Sequence, residues 1–411
     1  MFKKDELKLL WPFYLHILLV HIFGIGAMIW TVYFANKGFS FSQVGVAMAI
    51  MAIGSIAFEV PTGAIADIFG RKTSVVLAYF LYAIVALWAP FVKSYYALIS
   101  LFILWSVAIC LQSGADEAWV IDFLKKEKKQ ALIQTYYTKW ISIGQIGILI
   151  GGLLLTSILI LYRAEEKYVF FGRNFIGSDA VWFIQAIGMF IATLILIFFA
   201  KEYFDKKKIR LHQGLWQTFV YSKKAMQYAW HHHLLFWIFL TIFIFGIFQG
   251  MFGFIYQPLL IDFGFGLADF GWLRSAAGIV GIFIPFLSMF FVKKIKSTRN
   301  LLAFTFLIDF VIVACATLFF GRLLGFVYYL IVMNAGLFLF PIWGPFVQRY
   351  TPSKIRATLG SVRGMLSSLG TALGLFAVGP LVDHFGAKLS LSMAAVLIIP
   401  IFIIYFFIRK R

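Results

Sequence analysis

The sequence has few charged residues: Asp, Glu, Lys and Arg make up 13% of its 411 residues, whereas a water-soluble domain averages about 25%. This shortage argues against a soluble enzyme. Cysteine is nearly absent, because only Cys110 and Cys315 occur and both lie in apolar runs. That pattern excludes a disulfide framework and a zinc site, and the sequence predicts neither a bound metal nor a cofactor.

Apolar residues dominate instead. They make up 62% of the chain, which contains 49 Phe, 18 Tyr and 12 Trp. This composition excludes a disordered chain and predicts an all-α membrane protein, since a helix of roughly 20 apolar residues crosses a bilayer core of about 30 Å. Twelve runs have that length, at about residues 10–35, 41–66, 73–92, 96–124, 132–161, 178–200, 234–260, 267–292, 300–320, 324–348, 357–382 and 387–408.

Positive charge exceeds negative charge, with 36 Lys and Arg against 17 Asp and Glu. In a soluble protein such an excess would suggest a nucleic-acid partner. Here the basic residues gather in short clusters between apolar runs: with both termini inside, 26 of them fall on the cytoplasmic side and seven on the opposite side. The positive-inside rule therefore predicts a multi-pass protein of the inner (plasma) membrane with both termini cytoplasmic, and no nucleic-acid partner.

The two halves of the chain share a repeat with an offset of 226 residues. Gly38–Gly45 opens the second predicted span and Gly264–Gly271 opens the eighth. The same offset pairs Ser142–Gly144 in the fifth span with Ser368–Gly370 in the eleventh. One register held over this distance predicts two parallel-repeat six-helix bundles. Such bundles can rock about a shared cavity, so the pattern favours a transporter that works by alternating access.

The seam between the halves is the longest break between apolar runs. We therefore predict an N-terminal bundle over residues 1–200, a cytoplasmic linker over 201–233 and a C-terminal bundle over 234–411. Within the linker, Gly214–Trp230 mixes aromatic residues with two lysines. That mixture is typical of a helix that lies in the membrane interface rather than across the bilayer.

A short polar loop separates the second and third predicted spans and contains Gly63, Asp67, Gly70, Arg71 and Lys72. This spacing of a glycine, an aspartate four residues later, then a glycine and two basic residues resembles the signature loop of the major facilitator superfamily. Gly63 would allow close helix approach and Gly70 a tight turn. Asp67 would accept hydrogen bonds at the N-terminus of a neighbouring helix. The alternative is a basic turn without a special role.

The resemblance covers nearly the whole chain and implies a role for this loop. In the superfamily the aspartate docks against the start of the eleventh helix and locks the outward-facing state. The arginine pairs with an acid at the cytoplasmic end of the fourth helix, which would be Asp122 here. The resemblance thus implies a conformational latch made of Gly63, Asp67, Gly70, Arg71, Lys72 and Asp122.

Two adjacent acids, Asp116 and Glu117, lie well inside the fourth predicted span. An ionised group at such a depth costs several kcal/mol, so each acid needs a partner or a role. Because neighbouring carboxylates repel each other and lose hydration, we predict that the pair handles a proton or another coupling cation. The alternative is a structural ion pair with Lys139 or Arg363.

Other ionisable residues within the predicted spans favour structural roles. Glu59 could pair with Lys139 or join the latch. Asp309 lies on the ninth span, which is peripheral in the superfamily, and is expected to form a structural pair. His16 is expected to be a packing residue rather than a proton relay.

In the superfamily the first, fourth, seventh and tenth helices line the substrate cavity. The resemblance therefore implies a cavity wall that contains Tyr33, Gln112, Trp119, Gln249, Tyr256 and Asn334. Arg274, in the eighth span, either lines the cavity and holds an anionic group or snorkels to the outer headgroups. Such a wall favours an amphipathic or aromatic solute with few hydrogen-bonding groups.

Together these features predict a monomeric secondary active transporter that moves a small amphipathic solute across the cytoplasmic membrane by proton-coupled export. Its partners would be the solute, the lipid bilayer and a proton or other coupling ion. A non-transporting sensor or scaffold on the same fold is the alternative. An enzyme is disfavoured, because the sequence contains no nucleophile–base set, metal cluster or glycine-rich phosphate loop.

Overall fold

The computed structural model describes residues 4–170, 172–204, 227–228, 230–295, 297–318, 321–351 and 356–407. Most of the predicted linker, with all but the last residues of its interfacial helix, lies outside these ranges. Apart from one short β-hairpin and connecting turns, the described residues are helical. This agrees with the predicted fold class.

The helices of the N-terminal half follow the predicted spans closely. They are α1 (Lys4–Phe23), α2 (Trp30–Asn36), α3 (Phe41–Phe69), α4 (Arg71–Trp88), α5 (Tyr95–Gln112), α6 (Ala115–Lys126), α7 (Leu132–Leu161) and α8 (Asp179–Phe199). The first and fourth predicted spans are each divided in two. A 3-10 turn at Gly26–Met28 lies between α1 and α2.

The break in the fourth predicted span determines where its acids lie. Ser113 leaves the helical conformation with ψ 127°, and Gly114 has φ 69°, a left-handed conformation that glycine adopts without a steric penalty. The new helix, α6, has Asp116 and Glu117 in its first turn. Acidic side chains are favoured there, because the first N–H groups of a helix have no partner within the helix.

A β-hairpin connects α7 to α8, where the sequence predicts only a loop. β1 (Lys167–Phe170) pairs antiparallel with β2 (Arg173–Ile176), so that Lys167 lies opposite Ile176. Gly172, in the turn, has φ 69°. The aromatic and β-branched residues of both strands favour the extended conformation.

The C-terminal half continues the helical pattern. Its helices are α9 (His233–Asp262), α10 (Asp269–Lys294), α11 (Thr298–Ala314), α12 (Gly321–Arg349), α13 (Arg356–Ala395) and α14 (Ile398–Phe407). α13 bends at Gly386, which has φ 74° and ψ 170°. This bend lies where the eleventh predicted span passes into the twelfth.

Ten stretches of the described residues are long and apolar enough to cross a membrane. One of them, Leu359–Phe407, covers both the eleventh and the twelfth predicted spans. The ninth predicted span corresponds to α11, which has 17 residues and falls short of the length of the others. The total of twelve crossings therefore stays a prediction.

The described residues form two compact units that differ from the two predicted halves. Unit 1 contains residues 4–36, 57–204 and 267–275, and unit 2 contains the described residues of 37–56, 216–266 and 276–407. The start of α3 thus belongs with C-terminal helices, and the start of α10 belongs with N-terminal helices.

Glycines bring two helices together in the same way in each unit. In unit 1 a Cβ on Gly151 would collide with the carbonyl oxygen of Ile22, so α7 packs directly on α1. In unit 2 a Cβ on Gly374 would collide with the carbonyl oxygen of Ile247, so α13 packs directly on α9. Small residues favour such close packing in membranes. At the predicted offset of 226 residues, α1 corresponds to α9 and α7 corresponds to α13.

Candidate functional site

The arginine of the predicted latch ties α4 to α6 within unit 1. Arg71 donates through Nη1 to Asp122 Oδ2 at 2.5 Å and to the carbonyl oxygen of Ala118 at 2.6 Å. Because the Asp122 side chain is 51% exposed, the ion pair stabilises the fold by no more than about 1 kcal/mol. A contact of that strength can open and close during a conformational cycle.

Gly70 and Lys72 hold the same loop against the end of α8. Gly70 has φ 97°, a conformation that favours glycine, and a Cβ there would lie 2.6 Å from Glu202 Oε2. Glu202 Oε1 accepts from the backbone N–H of Lys72 at 3.0 Å. Lys72 Nζ donates to the carbonyl oxygens of Ile197 and Ala200 at 2.9 and 2.7 Å. No sequence pattern predicts Glu202 as a partner of this loop, because it lies just after the end of α8, 130 residues beyond Lys72.

Asp67 lines a cavity of about 350 Å³ at this end of unit 1, together with Arg71, Asp122 and Glu202. Acidic and basic side chains therefore line the same cavity around the latch. The close helix approach predicted at Gly63 is not seen: among the described residues, a Cβ there would meet no atom within 4 Å.

Asp116 lies at the end of a chain of hydrogen-bonded side chains. Tyr79 donates through its hydroxyl to Asp116 Oδ2 at 3.3 Å and accepts from Gln112 Nε2 at 2.7 Å. Tyr82 donates to Gln112 Oε1 at 3.0 Å. The ring of His16 meets the Tyr79 ring edge-on, with centroids 4.3 Å apart. Within the ranges described, the carboxylate is therefore held by neutral groups and forms no salt bridge.

Glu117 has different surroundings from its neighbour. Its side chain is exposed, and Oε2 accepts from the hydroxyl of Tyr137 on α7 at 3.1 Å. The two acids therefore contact different helices: Asp116 faces Tyr79 on α4 and Glu117 faces Tyr137 on α7.

The sequence offers Lys139 as a partner for Glu59 or for the pair Asp116 and Glu117. In the structure Lys139 pairs with Glu6. Its Nζ donates to both carboxylate oxygens of Glu6, at 2.6 and 2.7 Å. Tyr14 donates to Oε1 of the same carboxylate at 2.8 Å. The Glu6 side chain is only 1% exposed, so this is a buried charge pair between α1 and α7.

Two residues assigned to the cavity wall are packed inside unit 1. Trp119 donates through Nε1 to the carbonyl oxygen of Lys201 at 3.1 Å, and its ring lies 5.0 Å from that of Phe13. It borders the cavity around the latch. Tyr33 is fully buried and donates to Asp179 Oδ1 at 2.5 Å. Gln112 ends α5 and Trp119 lies in α6, so these two predicted wall residues are on different helices.

The other residues predicted for the cavity wall have different surroundings. Gln249 is exposed on α9 and lines a small cavity of unit 2. Asn334 is 4% exposed, and its amide donates to one backbone carbonyl on α10 and one on α12, so it holds these helices together. Tyr256 accepts from Gln257 Nε2 at 3.0 Å. Arg274 lies partly buried near the start of α10, within unit 1.

A second copy of the loop pattern lies in α13. Gly379, Asp383 and Gly386 repeat the spacing of residues 63–70, and Lys388 follows. Gly386 has φ 74°, close to the left-handed conformation at the end of the first copy. A search for the pattern along the whole chain finds this copy. A comparison at the 226 offset does not, because that offset pairs Asp67 with Lys293.

Asp383 caps the N-terminus of α3. Its Oδ1 accepts from the backbone N–H of Phe41 at 3.1 Å, and its Oδ2 accepts from the N–H and the hydroxyl of Ser42 at 2.8 and 2.5 Å. A Cβ on Gly45 would lie 2.7 Å from the carbonyl oxygen of Leu375, so the two backbones touch beside the cap. Asp383 therefore joins helices from both halves of the sequence within unit 2.

The repeat relates this contact to one in unit 1 that hydroxyl groups make. There Thr156 Oγ1 donates to the carbonyl oxygen of Ala268 and accepts from the N–H of Trp272, both at 2.9 Å. Ser275 donates to the carbonyl oxygen of Leu149 at 2.8 Å. Both contacts join the start of one helix to the middle of another. In unit 2 the carboxylate of Asp383 makes the contact, whereas in unit 1 the hydroxyls of Thr156 and Ser275 make it.

Comparison with known sequences identifies the group of proteins that share these features. The sequence model of the Major Facilitator Superfamily matches residues 13–375. An uncharacterized MFS-type transporter of Bacillus subtilis (strain 168), YxaM, is 24% identical over 394 residues, which cover 94% of this chain and 92% of the relative.

Solved structures show the same fold. A mutant of the nucleoside transporter NupG superimposes with a TM-score of 0.76 at 16% identity and covers 96% of this chain and 98% of its own. A bacterial homolog of the human lysosomal transporter Spinster, in an inward-facing and occupied conformation, has a TM-score of 0.72 at 15% identity and covers 97% and 95%. At these identities the likeness concerns the fold alone.

Proposed function

The chain belongs to the Major Facilitator Superfamily, and from this premise we propose that it exports a small amphipathic solute by alternating access, coupled to proton entry. Membership makes it a multi-pass membrane protein of a transporter family, with a small molecule as substrate and the bilayer as its surroundings. A transporter family is not an enzyme class. The solute, the direction and the coupling ion are the proposed part.

The observation that carries proton coupling is the environment of Asp116. An uncompensated carboxylate in a membrane helix costs several kcal/mol. Its position in the first turn of α6 offsets about 0.3–1 kcal/mol through the helix dipole. Tyr79 donates one hydrogen bond to the carboxylate at 3.3 Å, and a hydrogen bond to a charged group is worth about 1.5–3 kcal/mol. The cost that remains disappears when the carboxylate binds a proton, so this group is suited to taking up and releasing one in each cycle.

Two carboxylates at opposite ends of α3 support alternating access. Asp383 holds the N-terminal end of α3, and Asp67 lies near its C-terminal end. These ends are about 40 Å apart at 1.5 Å per residue, which is the thickness of a bilayer. We expect the two carboxylates to form their helix contacts alternately. Asp383 binds the N-terminus of α3 in the conformation of this structure, and Asp67 forms the latch contact in the other conformation of the transport cycle.

Counterflow into proteoliposomes tests transport itself. Vesicles that contain the purified protein and an excess of unlabelled solute are diluted into a trace of labelled solute, with ethidium, chloramphenicol and anilinonaphthalene sulfonate as amphipathic probes and glucose as the polar control. We expect transient uptake of an amphipathic probe and none of glucose. Binding of a probe without counterflow of any would contradict transport and favour the sensor or scaffold alternative.

We expect Asp383→Asn to loosen the contact between α3 and α13. The cap is exposed, so its charge contributes about 1 kcal/mol, and its loss shifts a two-state equilibrium about fivefold. Ala49 is 3% exposed and lies one turn after Gly45 on the same face of α3. In a cysteine-free background, maleimide should label Ala49→Cys about fivefold faster in the Asp383→Asn variant. His384→Gln is the matched control, and equal rates in both variants would contradict the role of Asp383.

A further inference from the structure

Two neighbouring cavities of unit 2 share the side chain of Asp309. The larger, of about 460 Å³, lies among α10, α11 and α12, and the smaller, of about 120 Å³, lies among α9, α11 and α12. Ile312, Ile331 and Ala335 also line both. Asp309 therefore lies where the two cavities meet, and together they have the size of a site for a drug-like molecule.

Asp309 does not form the structural pair that its position on the ninth span predicts. Across the part of the chain that the structure describes, its carboxylate has no salt bridge and no hydrogen bond. Two polar side chains of the larger cavity have other partners: Thr305 donates to the carbonyl oxygen of Leu301 and Asn334 donates to two backbone carbonyls. Gln249 lines the smaller cavity with Asp309. An ionisable side chain at such a place indicates a function, because an ionised carboxylate without a partner there would lower the stability of the fold.

The walls around this carboxylate are apolar and aromatic. Phe291, Phe304 and Phe338 line the larger cavity. In the smaller cavity the rings of Phe248 and Phe252 stack at 5.9 Å. Ring faces attract cations as well as apolar groups. The combination of one carboxylate with ring faces favours a ligand that carries a positive charge on an apolar body.

The larger cavity is bordered by side chains that face outward. On α11, Phe304 is 60% exposed and Ile308 is 55% exposed. In a membrane protein such apolar surface contacts lipid tails, so a solute dissolved in the bilayer can reach the cavity without passing through water. An amphipathic cation partitions into the bilayer in this way.

We propose that these two cavities form a binding site for an amphipathic organic cation, with Asp309 as its counter-charge. The proposal names a solute class for the export activity proposed above and rests on it for transport. Binding at Asp309 is a separate property that purified protein can show by itself.

Binding of tetraphenylphosphonium to the purified protein tests the site, and tetraphenylborate, an anion of the same shape, is the matched ligand control. We expect the phosphonium ion to bind and the borate ion to bind at least about tenfold more weakly, because the carboxylate attracts the cation and repels the anion. Equal binding of both ions would indicate an unselective apolar pocket and would overturn the proposal, as would no binding of the phosphonium ion.

Variants then assign the binding to Asp309. Asp309→Asn should weaken phosphonium binding at least about tenfold, whereas Asp309→Glu should retain it and Asp262→Asn should leave it unchanged. Thermal unfolding of each variant shows that it is folded. Unchanged affinity in Asp309→Asn would overturn the site. Binding that depends on Asp309 without phosphonium counterflow would support the site and contradict the proposed export of this class, so the two failures can be told apart.

Discussion

Asp116→Asn is expected to abolish accumulation driven by a pH gradient while leaving counterflow intact. Asparagine keeps an acceptor for the hydroxyl of Tyr79 but cannot take up a proton. A gradient of one pH unit supplies about 1.4 kcal/mol per proton, which supports roughly tenfold accumulation at one proton per solute. The native protein should reach that ratio in proteoliposomes, and the variant should only equalise the concentrations on both sides.

Glu117→Gln provides the matched control for this experiment. It removes the same charge one residue away, but its carboxylate is exposed and bound to Tyr137 on another helix, so gradient-driven accumulation should persist. Counterflow of the same solute shows that each variant is folded and able to move solute. Undiminished accumulation in Asp116→Asn would end the assignment. If only Glu117→Gln loses gradient-driven accumulation, proton coupling is assigned to Glu117 instead of Asp116.

The positions of the membrane helices could be read from the sequence, because a bilayer demands long apolar runs wherever the chain crosses it. α7 covers Leu132–Leu161 and α3 begins at Phe41, both as predicted. The break at Gly114 could not be read in the same way. The apolar runs before and after this short polar stretch are long enough to read as one span, and a hydropathy average does not respond to the φ angle of a single glycine.

Side-chain partners were harder to predict than helices. Arg71 and Asp122 could be paired because a family motif relates them. Glu6 and Lys139 are 133 residues apart, and no motif connects them. The first apolar run begins near residue 10, yet α1 already starts at Lys4, so Glu6 reads as part of a polar terminus although it is buried in a helix. Hydropathy locates a helix along the chain but does not show which face meets which neighbour.

Lys139→Met is expected to lower the stability of the fold by about 3 kcal/mol, because it removes the cation that donates to both oxygens of the buried Glu6 carboxylate. Removal of one partner from a buried charge pair costs about 3–5 kcal/mol. The lower end applies because Lys139 is 20% exposed. Thermal unfolding in detergent, followed by tryptophan fluorescence, measures the change. Lys129→Met, at an exposed lysine of the neighbouring turn, should change stability by less than about 0.5 kcal/mol.

The double variant Glu6→Gln/Lys139→Met separates the loss of a charge partner from the loss of packing. Glutamine at position 6 is neutral and still accepts the hydrogen bond that Tyr14 donates, so no charge remains buried. Because replacing both members of a buried pair with neutral groups is often close to neutral for stability, the double variant should regain most of what Lys139→Met loses. If it unfolds at the same temperature as Lys139→Met, the cost lies in packing between α1 and α7, and the charge pair is not what joins these helices.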